Sequence, residues 1–161
     1  MTAEEFNQCV DNHSDGVYRF ILKNMRDEQA AMDVVQDAFE KMWVRFREIS
    51  REKARSYLFT TAYHRMIDHV RKESRMDRLD LRYEPEDHYE HHYNDLKVVL
   101  DDALQRLPEI QRSVILLRDY EGYSYEEIGN ITGLNESQVK VYIFRGRLAL
   151  KNYLVSIENI V

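Results

Sequence analysis

The 161-residue chain is poor in the residues that interrupt helices and in those that cross-link chains. It has two prolines, five glycines and one cysteine. A lone cysteine, Cys9, excludes an internal disulfide and a cysteine-based zinc site; beside Phe6 and Val10 it reads as a small core residue. With so few breakers, and with no convincing alternation of apolar and polar residues, strands are not expected. No apolar run approaches the length of a membrane span, and the densest, 114–117, is a fragment of a helix. Residues 1–6 are acidic and lack the basic-then-apolar order of a secretion signal. These absences point to a cytoplasmic protein with no membrane insertion.

What is present is enough to fold. Hydrophobic residues make up 43% of the chain, which supports packed cores. The formal net charge is −6, and as a sum it argues against a nucleic-acid partner. The distribution says more than the sum. Residues 44–78 hold ten Lys/Arg against five Asp/Glu, 79–102 hold two against eight, and 136–153 hold four against one. Two basic zones flank an acidic stretch. Solvated helix faces of varying sign would give the same pattern.

The expected fold is all-α: two small helical domains, 1–75 and 95–161, joined by a flexible acidic linker, 76–94. The linker carries Pro85, a cluster of acids, and His88, His91 and His92. With Glu90 those histidines could ligate a metal, but no scaffold fixes them, so no metal site and no cofactor are assigned. In the first domain, residues 27–46 place Ala31, Val35, Ala38 and Met42 on a core stripe. Asp33, Gln36, Asp37 and Glu40 lie opposite. Residues 55–75 turn Phe59, Ala62, Tyr63, Met66 and Val70 inward and His64, Asp68, Arg71 and Arg75 outward.

The second domain has clearer punctuation. Pro108 suits the first turn of a helix running to about Glu121, and Gly122 suits its stop. Ser124 with Glu127 makes a capping box for a short helix, 125–132. A turn, 133–135, follows, and Asn135 with Gln138 caps a longer helix to about Tyr153. Its inward positions are Val139, Ile143, Gly146 and Leu150. Short helix, glycine turn and long basic helix form the helix-turn-helix pattern. Its outward face is expected to carry Ser137, Lys140, Tyr142, Arg145 and Arg147, groups suited to guanine edges or phosphates in a major groove. An ordinary helical hairpin with basic residues near its C-terminus fits the same periodicity.

The residues themselves carry a resemblance that separates these readings. The run Leu107-Pro108-Glu109-Ile110-Gln111-Arg112, then 114–129 (VILLRDYEGYSYEEIG), resembles region four of bacterial sigma factors. Val139-Lys140 and Phe144-Arg145-Gly146-Arg147 resemble that family's recognition helix. Upstream, 31–39 (AMDVVQDAF) with Trp43, and Tyr57-Leu58 followed by Ala62, Asp68 and Arg71, resemble sigma region two. Both blocks occur in family order with no third domain between, as in the small extracytoplasmic-function type.

The resemblance implies partners and roles. The partners are core RNA polymerase, promoter DNA and an anti-sigma factor, and the protein is not an enzyme. Asp33, Gln36, Asp37, Phe39, Glu40 and Trp43 would dock on the polymerase clamp. Arg47, Arg51, Lys53, Tyr57, His64, Arg71 and Lys72 would meet the minus-ten element, where aromatics and basic groups suit an opened strand. Ser137, Gln138, Lys140, Val141, Tyr142 and Arg145 would read the minus-thirty-five element. The chain departs from the family at Tyr57, where Trp is usual, and at His64, where Asn is usual. It departs again at Val141 and Tyr142, where a small polar residue and Arg are usual; these departures bear on promoter preference. The alternative is a one-component helix-turn-helix regulator with an N-terminal sensing domain.

Overall fold

The computed structural model describes residues 1–79 and 96–158. Among these residues there is no strand. Most of the expected linker, with His88, Glu90, His91 and His92, lies outside the described residues.

Three helices form the N-terminal half: α1 (Ala3–Met25), α2 (Glu28–Arg45) and α3 (Ala54–Leu79). The Thr2 hydroxyl accepts from the Glu5 backbone N–H, and the Glu5 carboxylate accepts from the Thr2 N–H. This capping box satisfies donors that a helix start leaves unpaired. Helix α1 stops where Arg26 takes a left-handed φ of 54°. Asp27 then caps α2 by accepting from the Ala30 N–H, so the two helices turn back on each other tightly. Their common core is Phe6, Val17, Phe20 and Ile21 from α1, Ala31, Val34, Ala38 and Met42 from α2, and Leu58, Phe59, Ala62 and Met66 from α3. Each large apolar side chain buried there contributes about 1.5–3 kcal/mol.

Two inward assignments are corrected. On α2 the buried residue is Val34, while Val35 is only half-buried. On α3 Val70 is exposed. No described side chain after Met66 is buried, because α3 there runs on past the helices it packs against.

The C-terminal half has α4 (Leu96–Gln105), α5 (Glu109–Ile115), α6 (Tyr125–Thr132) and α7 (Glu136–Glu158). Its core is Leu104, Leu107, Val114, Ile115, Leu116, Leu117, Ile128, Ile131, Val139 and Ile143. Helices α5 and α7 cross so closely that a Cβ on Gly146 would fall 2.4 Å from Ile115 Cδ1. The expected continuous helix from Pro108 to Glu121 does not form. After Ile115 the chain widens into a π turn, Leu116–Tyr120. There the Glu121 N–H donates to Leu116 O at 3.1 Å and the Tyr123 N–H to Leu117 O at 3.0 Å. Gly122 follows with φ 77°. The wide turn carries Glu121 and Tyr123 against α1 and α3.

That placement joins the two halves. The Glu121 side chain is 4% exposed. Both its oxygens accept from Arg19 of α1, each at 3.0 Å, which raises the Arg19 guanidinium pKa further. Arg55 of α3 donates to the Glu121 carbonyl at 2.8 Å and stacks its guanidinium 4.4 Å from the Tyr123 ring centroid. Tyr123 meets Phe59 edge-on at 5.2 Å. At the far end of α1, buried Asn24 accepts from Arg112 at 3.0 Å and from Ser113 at 3.1 Å. Gln105 donates to the Lys23 carbonyl, and Lys23 pairs with Asp101 at 2.8 Å. The two halves are therefore held together by an aromatic contact ringed with ion pairs.

Candidate functional site

The turn between α6 and α7 is built by local chemistry. Ser124 and Glu127 exchange hydrogen bonds, Glu127 N–H to Ser124 Oγ at 3.1 Å and Ser124 N–H to Glu127 Oε1 at 3.0 Å. The N–H bond to the carboxylate holds the Glu127 carboxyl below its ordinary value. Gly133 ends α6 at φ 82°, a conformation that costs other residues a Cβ clash. A Cβ on Gly129 would sit 2.7 Å from the Leu134 carbonyl oxygen, so only glycine lets the turn fold back over α6. Asn135 and Gln138 then cap α7 reciprocally, at 3.0 and 2.8 Å. The Gln138 carbonyl is thereby committed to the cap.

Helix α7 buries Val139, Ile143 and Gly146 against the core. Ser137, Lys140, Val141 and Arg145 are exposed, as expected of a face open to DNA. Tyr142 is not part of that face: it is half-buried and packs on the core. It lies closer to the inward stripe, one residue before Ile143. Lys140 reaches Glu136 at 3.6 Å and lies 5.7 Å from the Tyr125 ring centroid. Arg147 makes a two-pronged bond to Asp119, at 2.6 and 3.2 Å, which raises its pKa. Sequence reasoning missed Phe144 and Leu148, which are 69% and 47% exposed. The signal was available: 137, 141, 144 and 148 follow helical spacing directly opposite 139, 143, 146 and 150.

On α2, Asp33, Gln36 and Glu40 are exposed, while Asp37 and Phe39 are half-buried. Asp37 does not pair with Lys41 along the helix. It accepts from Arg65 of α3 at 2.7 Å. Asp33 accepts from Gln29 at 3.3 Å and Glu40 from Gln36 at 3.5 Å; among the described residues neither has a cation. Trp43 is half-exposed, stacked on Phe46 at 4.9 Å and edge-on to Phe6 at 4.9 Å. It closes the end of the core and still offers one side to solvent.

The segment between α2 and α3 forms two 3-10 turns, Phe46–Glu48 and Arg51–Lys53. Arg47, Arg51 and Lys53 are exposed. Tyr57 is half-buried against the core, and His64, exposed, stands edge-on to Tyr63 at 5.6 Å. Arg71 and Lys72 are exposed further along α3. Tyr57, His64 and Arg71 recur every seven residues and so share one side of the helix.

Comparison with known proteins agrees with this layout. Residues 9–76 match the family Sigma-70 region 2, and residues 97–150 match Sigma-70, region 4. The chain belongs to the sigma-70 family. Relatives of this sigma factor include the ECF RNA polymerase sigma factor SigM of Bacillus subtilis, 28% identical over 156 residues and covering 94% of each chain. SigE of Mycolicibacterium smegmatis is 29% identical over 157 residues, 92% of this chain and 61% of that one. The fold is shared with the sigma factor RpoE of Bartonella quintana, solved in complex with the anti-sigma factor NepR. There the TM-score is 0.83 at 24% identity, over 94% of this chain and 98% of the other. Among the described residues, no helix of the sigma factor is long and apolar enough to cross a membrane.

Proposed function

We propose that this sigma factor is a promoter-specificity factor of the extracytoplasmic-function type, which binds core RNA polymerase in the cytoplasm and directs it to particular promoters. The observation that carries this reading is the pairing of two matched regions, in family order, with exposed groups of the right chemistry on each. The one-component regulator is not favoured, because the N-terminal helices match a sigma region and not a sensing domain.

In this reading residues 1–75 and 95–161 are the two working units. The α2 face of Asp33, Gln36, Asp37 and Glu40, with Phe39 and Trp43, docks on a basic surface of the polymerase. Asp33 and Glu40 are its available charges, since Asp37 already holds Arg65. Arg47, Arg51, Lys53, Tyr57, His64, Arg71 and Lys72 accompany the opened minus-ten strand, basic groups gripping phosphates and aromatics stacking on bases. The outward side of α7 enters the major groove of the minus-thirty-five element. No residue is assigned a catalytic role. An anti-sigma factor belongs to the same reading.

The test is transcription reconstituted from core polymerase, this chain and genomic DNA. Initiation at a discrete set of promoters, absent without the chain, is expected. Asp33→Asn should fold as the parent does and bind core polymerase more weakly, with added salt narrowing the difference. Promoter-independent output, or specific binding of the chain alone to duplex DNA, would turn the assignment toward the regulator.

A further inference from the structure

Resting on the reading of α7 as the major-groove helix, we propose that Val141 and Phe144 are specificity-determining residues that read thymine methyl groups in the upstream promoter element. The outermost line of α7, directly opposite buried Val139, Ile143 and Gly146, is Ser137, Val141, Phe144 and Leu148. Three of those four are apolar, and they are 43%, 69% and 47% exposed. Exposed large apolar groups in a row mark a contact surface.

The charges lie beside this line. Lys140, Arg147 and Lys151 flank it on one side and Arg145 on the other. Lys140 is drawn toward Glu136 and Tyr125, and Arg147 is held by Asp119. A helix lying in a groove puts its central line against the base edges and its flanks against the phosphate walls. Basic flanks suit a polyanion better than an amphipathic protein helix, and they can carry affinity without carrying sequence information. The central line then does the reading. In the major groove only thymine offers an apolar feature, its C5-methyl group, and Phe and aliphatic side chains are its matching contacts. A reader of this kind favours A·T pairs with the thymine on one defined strand.

The experiment uses core polymerase loaded with the full chain. Promoter duplexes are first selected by this complex from a pool randomised in the upstream element. The selected duplex is then remade with deoxyuridine in place of thymidine, one position at a time, which removes only the methyl. Initiation by the parent should fall about fourfold at each contacted position, the worth of one buried methyl group. Phe144→Ala and Val141→Ala should each show that fall on the thymidine duplex. Each should show no further fall when its own methyl is removed. Both side chains are exposed, so the variants should melt as the parent does.

Equal use of thymidine and deoxyuridine duplexes by the parent, with Lys140→Ala and Arg145→Ala still lowering promoter use, would refute methyl reading and leave α7 as the recognition helix. If none of the four substitutions changes promoter use, the recognition-helix assignment fails, and the inference with it. If Phe144→Ala weakens binding to core polymerase when no promoter is present, the apolar line is a protein-docking face and the inference is overturned.

Discussion

Helix α1 makes two seams, and they are built differently. Toward α2 and α3 it presents Phe6, Val17, Phe20 and Ile21 to other apolar side chains, with the polar groups left outside. Toward α5 and the turn after it, the contact is ringed by Arg19–Glu121, Asn24–Arg112, Asn24–Ser113 and Lys23–Asp101. An apolar seam is non-directional and gains with every area of surface removed from water. A polar seam gains little net energy per bond and loses heavily when a partner is missing. The first therefore tolerates small shifts and resists opening. The second has one correct geometry and opens at modest cost, which suits two units that must separate to span a promoter.

The largest expected effect breaks the first seam. Leu58→Ala removes a fully buried side chain and should lower global stability by about 2–5 kcal/mol, read by denaturant unfolding. Arg19→Ala attacks the second. It leaves the Glu121 carboxylate buried with only Arg55 near, 3.7 Å away. The expected cost is about 1–3 kcal/mol of closure, less than for a fully buried pair because water already reaches Arg19. Paired labels on exposed Asp11 and Lys151 should report a longer distance while the melting of α1–α3 is kept. Cys9 should stay unlabelled, being buried with its thiol pKa pushed up by that burial. If the distance holds, the ion pairs are not what closes the seam.

Ser124→Ala should cost about 1 kcal/mol, local to α6, visible in thermal melts as a small downward shift. The smallest effect is a pH dependence. His13, half-buried on α1, has its pKa lowered first by burial and then by the charge of Arg55. The unfolded chain thus takes up the proton before the folded one. This contribution to stability is present above the ordinary histidine pKa and is lost as pH falls through the folded value. Melting temperature should drop between pH 7.5 and 5.5, less steeply in His13→Gln; an identical slope in both would remove His13 from the account.

The features legible in the sequence were those fixed by neighbours along the chain. The capping pairs Ser124–Glu127 and Asn135–Gln138 and the glycine at 133 act over a few residues, so they located α6 and α7. The expected helix through Glu121 failed because the π turn serves a contact with Arg19, 102 residues away, which no local pattern records. Asp37 was offered Lys41 one turn along, yet Arg65 from the adjoining helix takes it. Val34 and Val35 differ by about 100° around the helix, and only the position of α1 and α3 decides which is enclosed. Phe144 was visible as part of a family motif, but basic residues drew attention away from the apolar line between them. The two exposed faces proposed for polymerase and for the opened strand follow from helical spacing and were readable; which of their charges are already occupied was not.

The π turn at Leu116–Tyr120 has a consequence for how this chain tolerates length changes. A wide turn holds one residue more than the α-helical path would need. Removing any one residue there would restore ordinary winding and swing everything after it back by about 100°. Glu121 would then point away from Arg19, while α6 and α7 would keep every hydrogen bond they make within themselves. A single codon would thus act as a phase setting between the two halves, uncoupling them without damaging either.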